Sequence, residues 1–138
     1  MLSKAYQLAV KAHAGQVDKG GKPYIMHPLA VSELVTTEEE KIVALLHDVV
    51  EDTNITIEDL RREGFPEQVL AAVDALTKSP DVSYDDYIDI VKRNPIAVKV
   101  KISDMTHNSD LSRIANPTEK DRQRATRYRS VIRELKNI

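Results

Sequence analysis

The chain has 138 residues, no cysteine, no tryptophan, one phenylalanine and a formal net charge of −2. That length suits one domain with a continuous core, and the absence of thiols excludes disulfides, iron–sulfur clusters and thiolate zinc sites. With 41% hydrophobic and 30% charged residues, the composition argues against disorder and against a global positive field that would gather nucleic acid.

In chain order, a first helix is expected over 2–14. The stretch from Gly15 to Tyr24 holds three of the four glycines and reads as a loop, before a second helix over 27–35. Thr37 followed by Glu40 has the spacing of a capping box and opens a helix over 38–52, containing the apolar run Ile42 to Val50. Thr56 with Asp59 opens 57–63, which Gly64 can end, and 66–77 follows. Ser83 with Asp86 opens 84–93. Asn94-Pro95 and Asn116-Pro117 each read as an N-cap with proline at the first helical position, giving helices over 95–109 and 117–136. No stretch alternates convincingly with period two. The expectation is therefore an all-α single domain over 1–138, a compact helical bundle whose core is Leu, Ile, Val and Ala. No apolar run approaches membrane-spanning length, and Met1-Leu2-Ser3-Lys4 carries no apolar signal region. A cytoplasmic protein without a membrane partner is expected.

The chemistry concentrates in His47-Asp48-Val49-Val50-Glu51-Asp52, which closes an otherwise apolar helix. Polar groups at the end of a core helix are costly unless compensated. At about 100° per residue, positions 47, 48, 51 and 52 share one broad face. Adjacent acids at a helix C-terminus also oppose the macrodipole. A cation would compensate both, whereas the plainer reading is a helix end whose acids are simply solvated. One helix cannot complete a metal shell. Further ligands must come from the remaining histidines, 13, 27 and 107, or from carboxylates such as Asp104. His27 sits at a loop-to-helix junction. His107, one turn from Asp104, is the strongest rival ligand by spacing alone.

Three segments carry a resemblance: Gln16…Gly21-Lys22-Pro23-Tyr24-Ile25-Met26-His27-Pro28; His47-Asp48-Val49-Val50-Glu51-Asp52-Thr53; and Lys101-Ile102-Ser103-Asp104…Asn108. In this order they resemble the hydrolase domain of RelA/SpoT proteins, of the HD superfamily, and the small stand-alone alarmone hydrolases of the metazoan SpoT-homologue type. The resemblance runs from about Ala5 to about Tyr128 and implies a helical HD-domain bundle. It implies His27, His47, Asp48 and Asp104 as ligands of one divalent metal ion, typically Mn2+. Such an imidazole–carboxylate set also accepts Zn2+, Fe2+ or Co2+. It implies Glu51 as the leading base candidate, with Asp52 as its partner. The implied reaction removes pyrophosphate from the 3′ position of guanosine 3′-pyrophosphate alarmones, so the implied partner is a phosphorylated guanine nucleotide. The resemblance covers the hydrolase alone, and alarmone synthesis is not expected of these residues.

Substrate contacts implied in the same way are Asn108, Lys101 and Tyr24, with Lys19 and Lys22 able to approach phosphate oxygens. One position departs from the pattern. Where the family usually has an arginine after the glutamine, this chain reads Gln16-Val17-Asp18-Lys19. The inverted charge motivates an alternative, an HD phosphohydrolase acting on another phosphorylated nucleotide. A catalytically silent nucleotide-binding module is a third reading, against which Glu51 argues. His13 is expected to pack or cap rather than ligate. Tyr84 and Tyr87 are expected to pack. The basic segment 120–136 has Tyr128 as its one aromatic and no recognised motif, so a solvated helix face is expected there rather than a nucleic-acid surface. A homodimer is left open.

Overall fold

A computed structural model describes residues 1–138. It contains nine α-helices: α1 (Leu2–Ala12), α2 (Met26–Glu33), α3 (Glu38–Leu46), α4 (Val49–Asp52), α5 (Ile57–Arg62), α6 (Glu67–Leu76), α7 (Tyr84–Lys92), α8 (Pro95–Asn108) and α9 (Glu119–Lys136), with a 3-10 turn at Leu111–Arg113. There is no β-sheet; the one β-like feature is an isolated bridge between Val17 and Pro23.

The centre of the fold is α3. Ile42, Val43, Ala44, Leu45 and Leu46 are consecutive and all buried. Five consecutive apolar residues cover every side of the second half of α3, which must therefore be enclosed all round, and α1, α2, α6 and α8 pack around the helix. Each fully buried leucine or valine contributes roughly 1.5–3 kcal/mol. Thr37 starts α3 with a complete capping box, its hydroxyl accepting from the Glu40 amide while Glu40 accepts from the Thr37 amide. Lys41, still in the first turn, reaches back to donate to the carbonyls of Ser32 and Val35 at 2.9 and 3.0 Å. Those are orphan carbonyls at the end of α2. This lysine locks α2 to α3, and with it the helix bearing His27 to the helix bearing His47.

Most helix starts follow the expected caps. Thr56 closes a box with Asp59, Ser83 accepts from Asp86, and Asn94 accepts from Ala97 ahead of Pro95. Gly64 ends α5 at φ +93°, a left-handed conformation that glycine adopts without a Cβ penalty. Two boundaries differ from the sequence expectation. The last helix begins at Glu119, capped by Thr118 in a box with Asp121 rather than by Asn116; a reciprocal box satisfies two donors where an asparagine cap satisfies one. The helix expected over 38–52 is interrupted at His47 and Asp48, dividing α3 from α4. At the break the His47 ring Nδ1 bonds the carbonyl of Ala44, and such side-chain bonding to a backbone acceptor competes with helix continuation.

Candidate active site

The break between α3 and α4 faces α2 and α8, and the sequence-expected metal ligands meet there. His27 Nε2, His47 Nε2 and an oxygen of Asp104 lie within 4.8 Å of one another, all three residues buried. Asp104 Oδ1 is the hub, 2.8 Å from His27 Nε2 and 3.4 Å from His47 Nε2. Asp48 stands at the rim of the group, its Oδ2 lying 3.1 Å from His47 Nε2 and 3.9 Å from His27 Nε2.

The donor set fits a divalent cation. A carbonyl oxygen can only accept, so His47 Nδ1 carries the proton in its bond to Ala44. In the neutral ring that leaves Nε2 with its lone pair, the form that a cation selects over the imidazolium. This nitrogen is fully buried and has no aligned hydrogen-bond partner, although two carboxylates stand close by. An orphaned buried nitrogen facing carboxylates is the arrangement that a metal ion resolves. The electrostatics agree. Burial pushes the His47 pKa down, yet Asp48 and Asp104 outweigh it and hold the ring well above the ordinary value. Burial likewise raises Asp104, but Lys101, His27 and His47 drive it well below the ordinary carboxylate range. The pocket stabilises positive charge.

Three further groups hold the carboxylates. Tyr24 donates its hydroxyl to Asp48 Oδ2 at 2.6 Å, and burial, then Asp48, raise the phenol pKa. Lys101 donates to Asp104 Oδ2 at 3.2 Å and lies 5.1 Å over the Tyr87 ring. Burial alone would lower this ammonium's pKa, but Asp104 and the tyrosines Tyr87 and Tyr84 raise it overall, and Tyr87 is itself pushed up to about 12, chiefly by burial. Asn108 donates to Asp104 Oδ1 at 3.1 Å. Tyr24, Lys101 and Asn108, expected as substrate contacts, are thus placed by their hydrogen bonds around the ligands.

Glu51 and Asp52 extend outward from α4 and are exposed. The two diverge: Asp52 lies near Asp48, Tyr24, His13 and His47, whereas Glu51 reaches the start of the 77–83 segment. There Glu51 accepts from the Lys78 amide at 3.3 Å. Partial burial, with Asp48 and Asp52 nearby, raises the Glu51 pKa against the opposing Lys78 amide and Lys101. Partial burial and Asp48 raise Asp52 as well.

Beside the ligand cluster lies a cavity of about 380 Å³, reaching His27, Tyr24 and Asn108 on one side and Lys19, Arg113, Arg124 and Tyr128 on the other. Its size is that of a small-molecule site. Lys19 points along its rim, 3.4 Å from Asp121, while Lys22 lies outside it. Asp18 is tied down rather than free. Its Oδ1 accepts from the amides of Gly20 and Lys22, each at 2.9 Å, and its Oδ2 pairs with Arg113 at 3.2 Å. Burial raises its pKa, but the Lys22 and Gly20 amides and Arg113 bring the net shift below the ordinary value. Arg113 also donates to the His107 carbonyl at 3.0 Å and to Asn108 Oδ1 at 3.3 Å. Hydrogen bonds therefore run from Asp18 through Arg113 and Asn108 to Asp104. Sequence reasoning missed Arg113 because it lies 95 residues from its partner Asp18; no local spacing could pair them.

His13 caps the end of α1, with Nδ1 3.0 Å from Gln16 Oε1 and its ring tilted on Tyr24, but its Nε2 is buried without a partner. His107, the rival ligand by spacing, turns its Nδ1 to His27 Nδ1 at 2.7 Å. Burial, then Arg113 and His27, lower its pKa to about 4, so it is neutral near neutral pH.

The HD domain family matches residues 5–133. A GTP pyrophosphokinase of Streptomyces coelicolor is 37% identical over 120 residues, covering 78% of this chain and 14% of the relative. A guanosine-3′,5′-bis(diphosphate) 3′-pyrophosphohydrolase of Aquifex aeolicus is 35% identical over 119 residues, covering 78% of this chain and 17% of the relative. The chain thus spans less than a fifth of the length of these curated relatives. A solved structure described as a metazoan orthologue of SpoT that hydrolyses ppGpp superimposes with a TM-score of 0.81 at 25% identity, covering 97% of this chain and 84% of that one. The chain belongs to the HD domain family, with relatives of the RelA/SpoT type.

Proposed function

We propose that this chain is a metal-dependent phosphohydrolase that removes pyrophosphate from the 3′ position of guanosine 3′-pyrophosphate alarmones, (p)ppGpp, leaving GDP or GTP. The observation that carries this reading is the buried His27, His47 and Asp104 cluster, whose His27 also lines a cavity of small-molecule size, within a chain whose relatives bear that activity in their names. His27, His47 and Asp104, with Asp48 at the rim, would hold one divalent ion, and Mn2+ suits their nitrogen and oxygen donors. Such an ion supplies Lewis acidity, polarising a phosphoryl oxygen and acidifying water.

The chain's own residues account for the remainder. Glu51 and Asp52 are carboxylates outside that ligand set, close to Asp48, and partial burial raises both pKa values. A carboxylate so placed holds a proton more readily, as a group receiving one from the attacking water must. Tyr24 fixes Asp48 by donating to one oxygen, and Lys101 fixes Asp104. Lys19, Arg113 and Arg124 line the cavity wall, where cations can meet the phosphates of a nucleotide.

A second reading, hydrolysis of another phosphorylated nucleotide, is favoured by Asp18, which brings a carboxylate to the cavity wall where the family pattern has an arginine. One assay separates the two. Metal-stripped protein is resupplied with Mn2+ and given guanosine 3′,5′-bispyrophosphate beside a panel of other nucleotides. Manganese-dependent release of pyrophosphate and GDP is the expected result. Turnover of a different nucleotide alone would establish the second reading, and no turnover with tight nucleotide binding would make the chain a binding module.

A further inference from the structure

The two buried histidines of the cluster face one requirement. To offer Nε2 as a lone pair, a neutral imidazole must carry its proton on Nδ1, and the tautomer is set by whatever Nδ1 meets. For His47 the Ala44 carbonyl settles the matter, because a carbonyl only accepts. For His27 the Nδ1 partner is His107, with the two Nδ1 atoms 2.7 Å apart, while its Nε2 lies 2.8 Å from Asp104 Oδ1, where the bare ring donates and a ring holding a cation offers its lone pair instead.

Two ring nitrogens at that distance coexist only if one carries a proton and the other a lone pair. The contact is head-on. The rings are within 22° of parallel and their centroids are 5.0 Å apart, which beyond the 2.7 Å contact leaves about one ring radius on each side. Donor proton and acceptor lone pair therefore lie near a common plane, the favourable geometry for a hydrogen bond. The partner is well anchored. His107 sits three residues after Asp104 on α8, and its carbonyl is held by Arg113. One helix turn thus supplies both a carboxylate of the cluster and the support of the histidine opposite.

We propose that His107 is a positioning residue: with a divalent ion in the site, its Nδ1 accepts a hydrogen bond from His27 Nδ1–H and holds His27 in the tautomer that offers its Nε2 lone pair to the ion. The role rests on the metal-site reading above but not on the identity of the substrate. A side chain that spacing alone makes a rival ligand acts instead through the ligand beside it.

The test uses the full chain loaded with Zn2+, which is diamagnetic, and nitrogen-resolved NMR of the imidazoles. His107 is expected as the Nε2–H tautomer, with a nitrogen–nitrogen coupling to His27 across the hydrogen bond. By calorimetry, Mn2+ affinity should fall roughly 10–100-fold in His107→Ala, the usual cost of losing such a partner. His107→Asn, whose amide oxygen takes the place of Nδ1 as acceptor, should recover most of it. A proton on His107 Nδ1, direct coordination of Zn2+ by His107, or unchanged Mn2+ affinity in a folded His107→Ala variant would each overturn the proposal. Should His107→Ala fail to fold, the wild-type spectrum still decides. Wild-type protein that binds neither ion would overturn the metal-site reading and this proposal with it, whereas tight binding with the other tautomer would overturn this proposal alone.

Discussion

The ligand cluster and the cavity wall beside it are built by different means. His27, His47 and Asp104 stand on α2, the end of α3 and α8, three elements packed around one apolar core, and each residue is at most 7% exposed. The wall is built from the Gly15–Tyr24 loop, the 3-10 turn at Leu111–Arg113 and one side of α9, held together by ion pairs such as Asp18 with Arg113 and Lys19 with Asp121. Chemistry that tolerates little displacement is carried by packed helices, and recognition by loops that can change without disturbing the core. Asp18 illustrates the second half. An inverted charge is accommodated there because the neighbouring amides and Arg113 satisfy it locally.

That contrast can be broken at several points. The largest effect is expected at the cluster. Asp104→Asn preserves shape but removes the charge at the hub, and activity should fall roughly 10³-fold or more, with Mn2+ binding lost by calorimetry. Next comes the acidic pair on α4. Glu51→Gln should reduce kcat by about 10²–10⁴-fold, the range for a positioned acid or base, while Mn2+ affinity is unchanged. Loss of metal binding in that variant would show Glu51 to be a ligand.

On the wall, Arg113→Met should raise KM by about tenfold, equivalent to about 1.4 kcal/mol of binding. kcat should change less, because Asn108 keeps its own bond to Asp104. A collapse of kcat with KM unchanged would mean that wall and cluster are one unit. The smallest effect concerns acid stability. Asp18 has a depressed pKa in the folded protein, so its contribution to stability is present above the unfolded carboxylate value and lost as pH falls through the folded one. Thermal melts of Asp18→Asn and wild type should differ near neutrality and converge in that acid range. A constant difference down to the lowest pH would remove the ion pair as the cause.

Much of this was legible in sequence because its signals are local. Capping boxes at Thr37 and Thr56, the Asn94-Pro95 start and the Gly64 stop are each written within four residues. That His27, His47 and Asp104 would lie together was legible through their motif order. The break at His47 was not. An apolar run leading into charged residues has the same helical periodicity whether or not a ring nitrogen claims the Ala44 carbonyl. The true start of α9 was obscured by two competing caps, Asn116 and Thr118, of which the one completing a reciprocal box prevailed. The supports around the cluster were least legible. Lys101 and Asn108 lie on the same helix as Asp104, but Tyr24 bonds Asp48 across 24 residues and His107 meets His27 across 80. Only the packing of α2 and α8 against α3 creates those pairs.

Gly20 shows how far a residue without functional atoms can reach. A Cβ built there would come within 2.6 Å of the Arg113 carbonyl oxygen, so even a methyl group must push the loop away from the 3-10 turn. Arg113 braces Asn108, and Asn108 braces Asp104. Position 20 is therefore a spacer gauge for the whole wall, and one added carbon at the surface would be felt, link by link, at a buried carboxylate it never touches.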